Sequence, residues 1–358
     1  MEEERIAKVL HNMKEQELSQ FLICDPISIF YLTGAFILPG ERFYALYLKE
    51  NGKHVMFMNE LFTAPEDLGI DIVYYNDVLP ITDMVAERID HTAILGVDKN
   101  ITARFLLPLQ EKKAAAGYVV ASLCVDLARG CKDAREQEMM KKVSAINDLA
   151  MAEFKKLIIP GVTEKQIADQ MLEIYKKLGA DGYSFEPLVI FGENGAEAHH
   201  IPDDTVLKEG RSVIFDVGCC KDLYCADMTR TFFYRKISEK HRELYDLVKK
   251  ANETAIAMLK PGVQLKEIDK IARDIITKAG YGQYFTHRLG HFIGMEVHEY
   301  GDVSAVSDII AVPGMIFSIE PGIYLKGEVG IRIEDLVLVT EKGCVRLNQY
   351  SKDLEILE

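Results

Sequence analysis

A stretch about one helical hairpin long occurs twice in this chain. PGVTEKQIADQMLEIYKKLGA begins at Pro160, PGVQLKEIDKIARDIITKAGY begins at Pro261, and the two coincide at eight positions. In each copy Pro-Gly-Val closes one helix, a short polar turn follows, and an amphipathic helix runs on to a glycine. Shared capping chemistry alone explains eight coincidences less well than duplication does. Two duplicated halves related by a pseudo-two-fold axis leave few ways to fold. Downstream of each copy lies a strand pair carrying two carboxylates. The first, VIFDVGCCKDLYCADMTRT from Val213 to Thr231, holds Asp216 and Asp227; the second, MIFSIEPGIY and GIRIEDLVLVT, holds Glu320 and Glu334. Asp216 and Glu320 are 104 positions apart, Asp227 and Glu334 are 107 apart, and the repeats are 101 apart. Halves folded alike would gather four scattered acids into one central cluster.

A strand period of two sets Asp216 on one face of its strand and groups Asp227, Thr229 and Thr231 on the returning one. Carboxylates inside apolar strands are costly unless something neutralises them. Either they sit at strand ends in water, or they hold a cation. THRLGHFIGMEVHEYGD, read as running between the halves, adds His287, His291 and, on an apolar strand, His298; GENGAEAHHIPDD adds His199 and His200 in a loop after the strand PLVIF. Four carboxylates and one imidazole form a hard, oxygen-rich donor set, suited to Mn²⁺, or to Co²⁺, Fe²⁺ or Zn²⁺. Four negative charges repel strongly when bare, and two divalent cations would balance them. Paired cations activate a bridging water for attack on an amide carbonyl, with histidines stabilising the oxyanion and carrying protons.

The rest of the chain reads as an α/β domain. Ile6, Val9, Leu10 and Met13 predict a helix over 4–18. Short apolar runs at 21–24, 42–48, 54–58, 71–75 and 93–97 predict strands, with helices at 81–89 and 102–113. DPISIFYLTGAF (25–36) opens with a turn signal and continues as helix or strand. Cys24, Asp25, His54 and His91 are scattered and read as structural or surface residues. The boundary is placed near Gly130–Asp133, giving an N-terminal domain over 1–130 and a second domain over 131–358; a length of 358 residues fits two cores better than one.

The net charge of −14 argues against nucleic acid as a partner. No run approaches the roughly 18 apolar residues of a membrane span. The opening MEEERIAKVLHNMKEQ lacks the apolar core and cleavage site of a signal peptide, so the expected location is the cytoplasm. Seven cysteines, an odd number without a C-x-x-C pair, fit reduced thiols. Cys219, Cys220 and Cys225 flank the aspartates; a soft-metal or redox site there is the weaker reading, and they are expected to be reduced and not ligands.

These motifs resemble the proline-specific dinuclear metallopeptidases of the pita-bread fold: Xaa-Pro dipeptidase (prolidase) and aminopeptidase P. DPISIFYLTG resembles their creatinase-like N-terminal domain; IFDVG, ADMTRT, HRLGHFIGMEVHE, SIEPGIY and GIRIED resemble their catalytic motifs in order. The resemblance covers nearly the whole chain. It implies an α/β creatinase-like domain followed by an α+β pita-bread domain with an internal pseudo-two-fold repeat. It implies five ligands for two divalent ions: Asp227 and Glu334 bridging, Asp216 on one ion, His291 and Glu320 on the other. Glu320 would also accept a proton from the attacking water, and His199, His287 and His298 would line the substrate site. Arg332 matches the arginine beside the last ligand, and a period of two sets it on the strand face of Glu334. Where the family usually has Pro before the loop histidine, this chain has Ala198-His199. The implied activity is hydrolysis of the bond preceding proline, in Xaa-Pro dipeptides, by a homodimer; the alternative is removal of the first residue from longer Xaa-Pro peptides. Methionine aminopeptidases generally lack the N-terminal domain, and creatinase lacks the ligands. A non-catalytic binding module is disfavoured by the intact ligand set.

Overall fold

The computed structural model of the protein describes residues 1–65 and 68–358, which fall into two units, Met1–Arg129 and Gly130–Glu358. The first unit is built on a six-stranded sheet: β1 (Gln20–Ile23), β2 (Ala45–Lys49), β3 (Val55–Asn59), β4 (Asp71–Tyr75), β5 (Ile94–Val97) and β6 (Gly117–Val120), in the order β4-β3-β2-β1-β5-β6. The β1–β2 and β2–β3 pairs are antiparallel; the other three are parallel. Helices α1 (Glu3–Glu15), α2 (Pro26–Thr33), α3 (Ile81–Ala86), α4 (Ala103–Glu111) and α5 (Leu123–Gly130) accompany it. DPISIFYLT resolves as a helix because its ends are specified. The Asp25 carboxylate accepts the Ser28 N–H at 2.8 Å, Pro26 stands in the first turn, and Gly34 closes the helix at φ +73°. Leu22, Tyr47, Phe57 and Leu95 make the core of this unit. The sequence reading missed β6 and α5. Strand β6 lies at the sheet edge with Val119 and Val120 exposed, so no buried face marked it.

The second unit carries the repeat. Helices α6 (Ala134–Phe154) and α7 (Glu164–Lys177) precede β7 (Gly182–Tyr183), β8 (Leu188–Phe191), β9 (Ser212–Val217), β10 (Cys219–Lys221), β11 (Tyr224–Cys225) and β12 (Met228–Tyr234). Helices α8 (Glu239–Met258) and α9 (Leu265–Lys278) precede β13 (Gly290–Phe292), β14 (Glu299–Val303), β15 (Ile316–Ile319), β16 (Gly322–Leu325), β17 (Val329–Arg332), β18 (Asp335–Val339) and β19 (Cys344–Arg346); β20 (Ile356–Leu357) ends the chain. Of its sheets, the two largest run β20-β12-β9-β8 and β14-β13-β15-β18-β19. In each, the middle strand of the repeat pairs antiparallel with both neighbours: β9 with β8 and β12, β15 with β13 and β18. A wholly buried asparagine on the long helix of each half donates to that middle strand, Asn147 to the Val217 carbonyl at 3.0 Å and Asn252 to the Ile319 carbonyl at 2.8 Å. A buried amide left unpaired would cost about 1–3 kcal/mol, so these bonds fix helix against strand. Capping boxes at Asp133/Glu136 and Thr163/Gln166 start α6 and α7.

Three sequence expectations need correction. The histidine-rich segment is not a connection between halves; it forms β13 and β14 within the second half's own sheet. GIRIEDLVLVT is not one strand: β17 pairs with β16 in a hairpin, β18 belongs to the five-stranded sheet, and Ile333-Glu334 links them. His298 lies in the bend before β14 rather than on a strand. All three errors share a cause, because local alternation does not reveal where a chain passes from one sheet to another.

Candidate metal centre

The middle strands deliver one acid each. Asp216 lies near the end of β9, and Glu320 follows directly after β15. The second acid of each pair flanks the neighbouring strand, Asp227 just before β12 and Glu334 just before β18. The halves are stitched together here. Thr229 donates its hydroxyl to Glu334 Oε2 at 2.9 Å, the Glu334 N–H donates to the Thr229 carbonyl at 3.1 Å, and Arg230 donates to the Glu334 carbonyl at 2.6 Å. His291 enters from β13. The absence of a side chain at Gly290 permits this, since a Cβ there would lie 1.8 Å from the Ser318 carbonyl oxygen. His291 Nε2 stands 3.5 Å from Asp227 Oδ2, 3.6 Å from Glu320 Oε1 and 3.9 Å from Glu334 Oε1. Its Nδ1 lies 3.3 Å from the Phe292 carbonyl, which can only accept, so Nδ1 carries a proton and Nε2 is the nitrogen turned to the cluster.

Burial raises Asp227 to about 6 despite the pull of His291, raises Glu320 to about 7, and holds Glu334 well above the carboxylate range, each acid adding to its neighbours' cost. Burial opposes charge on His291, yet Asp227 and Glu320 keep its pKa above the ordinary value. Asp227 Oδ1 and Glu334 Oε1 are buried without a hydrogen-bond partner. Among the described residues Asp227, His291 and Glu334 each offer a donor atom within 4.8 Å of the others. Hard donors, unpaired buried oxygens and mutual repulsion are the properties a divalent cation satisfies, so these residues fit one. A second group, Glu164, His200 and Asp203, has the right residue types. Glu164 there already accepts from the Phe191 and Asp203 N–H groups, Asn194 and His200, and it serves to tie down the loop.

A cavity of about 330 Å³ opens over the cluster, lined by the four acids, His199, His287, His291, His298 and Arg332. His298 packs its ring edge-on to His291 at 4.3 Å, and both His298 and His199 are exposed to the cavity. His287 differs. Nδ1–H donates to the Arg288 carbonyl at 2.7 Å, and Nε2 accepts from Tyr324 Oη at 2.8 Å. With both nitrogens engaged, and with burial and then Arg332 pushing it down to about 4, it is a neutral support. Arg332 is buried and bonded at all three nitrogens: Nη2 meets Asp216 Oδ2 at 2.6 Å, Nε donates to Thr229 Oγ1 at 3.1 Å, and Nη1 donates to Tyr324 Oη at 3.0 Å and to the Ala198 carbonyl at 3.4 Å. Ala198-His199 is thus tied to the strand bearing Arg332. The same loop presses on that strand at Gly195 and Gly330, where a Cβ on Gly330 would lie 1.8 Å from the Gly195 oxygen.

Sequence reasoning overlooked Tyr324, Ser318 and Arg288. Ser318 Oγ accepts the His291 N–H at 3.0 Å and bonds Glu320 Oε1 at 3.2 Å. Two-residue alternation from Glu320 would have found Ser318, and Tyr324 lies within SIEPGIY. Arg288 lines the cavity, is exposed, and makes no ion pair among the described residues; only its neighbours His287 and His291 could have drawn attention to it.

Residues 138–341 match metallopeptidase family M24, and residues 5–131 match the creatinase/prolidase N-terminal domain. The chain belongs to metallopeptidase family M24. It is 36% identical over 355 residues to an uncharacterized peptidase of Staphylococcus saprophyticus, covering 97% of this chain and 100% of the relative. The Xaa-Pro dipeptidase from Bacillus anthracis superposes with a TM-score of 0.92 at 28% identity, over all of both chains. The X-Pro aminopeptidase from Thermotoga maritima superposes with a TM-score of 0.84 at 27% identity, over 97% of this chain and 100% of that one. The expected creatinase-like domain and pita-bread peptidase domain are both borne out. Among the described residues no helix is long and apolar enough to cross a membrane.

Proposed function

We propose that this M24 peptidase hydrolyses the bond before proline in Xaa-Pro dipeptides. The observation that carries this reading is the cavity: about 330 Å³, floored by the acid cluster, with Arg288, a cation without an ion pair among the described residues, on its wall. That volume lies at the small end for ligand pockets and suits a short substrate. Asp216, Asp227, His291, Glu320 and Glu334 are the residues that would hold two divalent cations, Mn²⁺ by the hardness of the donors, which when bound acidify water and offset charge developing on the scissile carbonyl. Glu320, which lines the cavity beside His291, takes the proton of the attacking water. His298 and His199 present N–H donors to the carbonyl oxygen as it gains charge. His287, neutral and bonded at both nitrogens, holds Tyr324 and through it Arg332, which keeps Asp216 and the Ala198-His199 loop in place. Arg288 receives the substrate carboxylate. The active form is a homodimer in which the N-terminal domains contribute to the contact.

Paired assays on a Xaa-Pro dipeptide and a Xaa-Pro-Yaa tripeptide test the reading. The dipeptide should be cleaved with the higher kcat/KM, and Arg288→Gln should raise KM for it more than it lowers kcat. Preference for the tripeptide in the wild type, unchanged by Arg288→Gln, would establish the aminopeptidase instead.

A further inference from the structure

The hairpin between Asp216 and Asp227 carries chemistry that peptide hydrolysis does not use. Strands β10 and β11 pair antiparallel with Cys220 directly opposite Cys225, and the two Sγ atoms lie 3.4 Å apart. Asp222 and Leu223 turn the hairpin with φ of +50° and +67°, the left-handed pair of a tight two-residue turn. The tip is anchored, since Asp181 accepts the Asp222 N–H at 2.7 Å and pairs with Lys221 Nζ at 2.7 Å. Register and anchoring together hold the two sulfurs against each other. Both thiols are free; Cys220 is half-buried and Cys225 is buried. Cys219 is the nearest competitor in sequence but lies on the other face of β10, its sulfur 3.8 Å from the Val143 carbonyl.

We propose that Cys220 and Cys225 are an oxidisable dithiol, a covalent modification site beside the metal centre, with a hydroperoxide as co-reactant. The more accessible Cys220 sulfur attacks the peroxide, breaking the O–O bond and leaving a sulfenic acid and one water or alcohol. Cys225 sulfur then displaces the sulfenic oxygen as water, so the S–S bond forms as the S–O bond breaks. Two thiol sulfurs are oxidised by one electron each, and the two peroxide oxygens are reduced. Bond formation brings the sulfurs to about 2.05 Å. It also removes the hydrogen that Cys225 Sγ donates to the Met295 carbonyl at 3.5 Å. Met295 lies between His291 and His298, and the Cys225 N–H donates to the neighbouring Gly294 carbonyl at 2.8 Å. Oxidation is therefore coupled to the segment that carries both histidines.

Trypsin provides the test, because it cuts after Arg211, Lys221 and Arg230 and so separates the two cysteines onto different peptides. The native full-length chain is treated with a small excess of hydrogen peroxide, alkylated, digested without reductant and analysed by mass spectrometry. The expected product is peptide 212–221 joined to peptide 222–230, two hydrogens lighter than the pair, with loss of two titratable thiols, and separated again by dithiothreitol. Fragment ions should assign the bond to Cys220 rather than Cys219. Cys219→Ala should keep the linked peptide and Cys220→Ala should abolish it. Should Cys220→Ala fail to fold, the fragment ions of the wild-type linkage carry the assignment alone. Two separately alkylated peptides, a sulfinic acid on Cys220 with Cys225 free, or a bond mapped to Cys219 would each overturn the proposal.

Discussion

Removing metal should turn the acid cluster into a pH-dependent weakness, and Glu320→Gln should relieve part of it. The folded-state pKa of Glu320 is raised from 4.5 to about 7 by burial, and that of Asp227 from 3.8 to about 6. A carboxyl whose pKa is raised on folding stabilises the native state below its unfolded pKa, and that contribution is lost as pH rises through the folded value. For Glu320 the rise from 4.5 to about 7 corresponds to roughly 3 kcal/mol, most of which is lost between about pH 5 and pH 8. Its side chain is only 15% exposed, so solvent screening removes little of this. Glutamine keeps the shape and cannot ionise. Chelator-treated wild type and Glu320→Gln are melted at both pH values. The wild type should lose more stability on going to pH 8, by about 5–10 °C in melting temperature for a unit of this size. Saturating Mn²⁺ should restore the wild type at pH 8 by binding the native state. Equal pH dependence in the two metal-free proteins would refute the claim that burial strains this carboxylate.

Three further outcomes follow from the geometry. His291→Ala should lower metal content and peptidase activity together, whereas His298→Ala should keep metal and lose about 10²–10³ in kcat; metal analysis beside steady-state kinetics checks both. Thr229→Val removes the donor to Glu334 Oε2 and the acceptor for Arg332 Nε, so the chain should be destabilised by about 1–3 kcal/mol, read by denaturant unfolding. Gly330→Ala should drive the Gly195 loop off β17 and displace His199, lowering kcat/KM while metal content stays level.

What the chain declared in one dimension was its duplication and the gathering of its acids. The spacing of the repeats, echoed by the spacing of the acids, placed Asp216, Asp227, Glu320 and Glu334 in one cluster before any coordinates. Strands and amphipathic helices were legible because burial on one face imposes a period on neighbouring residues. Tertiary structure decided which side chains are free to act. His199, His287 and His298 looked alike in sequence, yet only His287 has both nitrogens consumed, by Tyr324 and the Arg288 carbonyl, partners 37 residues and one residue away. Arg332 and Glu334 seemed to share a strand, and they meet in the cavity although the chain changes sheets between them. The Cys220–Cys225 contact needed the hairpin register, and Arg288 needed the cavity. Periodicity reports which face of an element is buried; it carries nothing about which distant atom ends at hydrogen-bond distance, because that depends on how the two halves close upon each other.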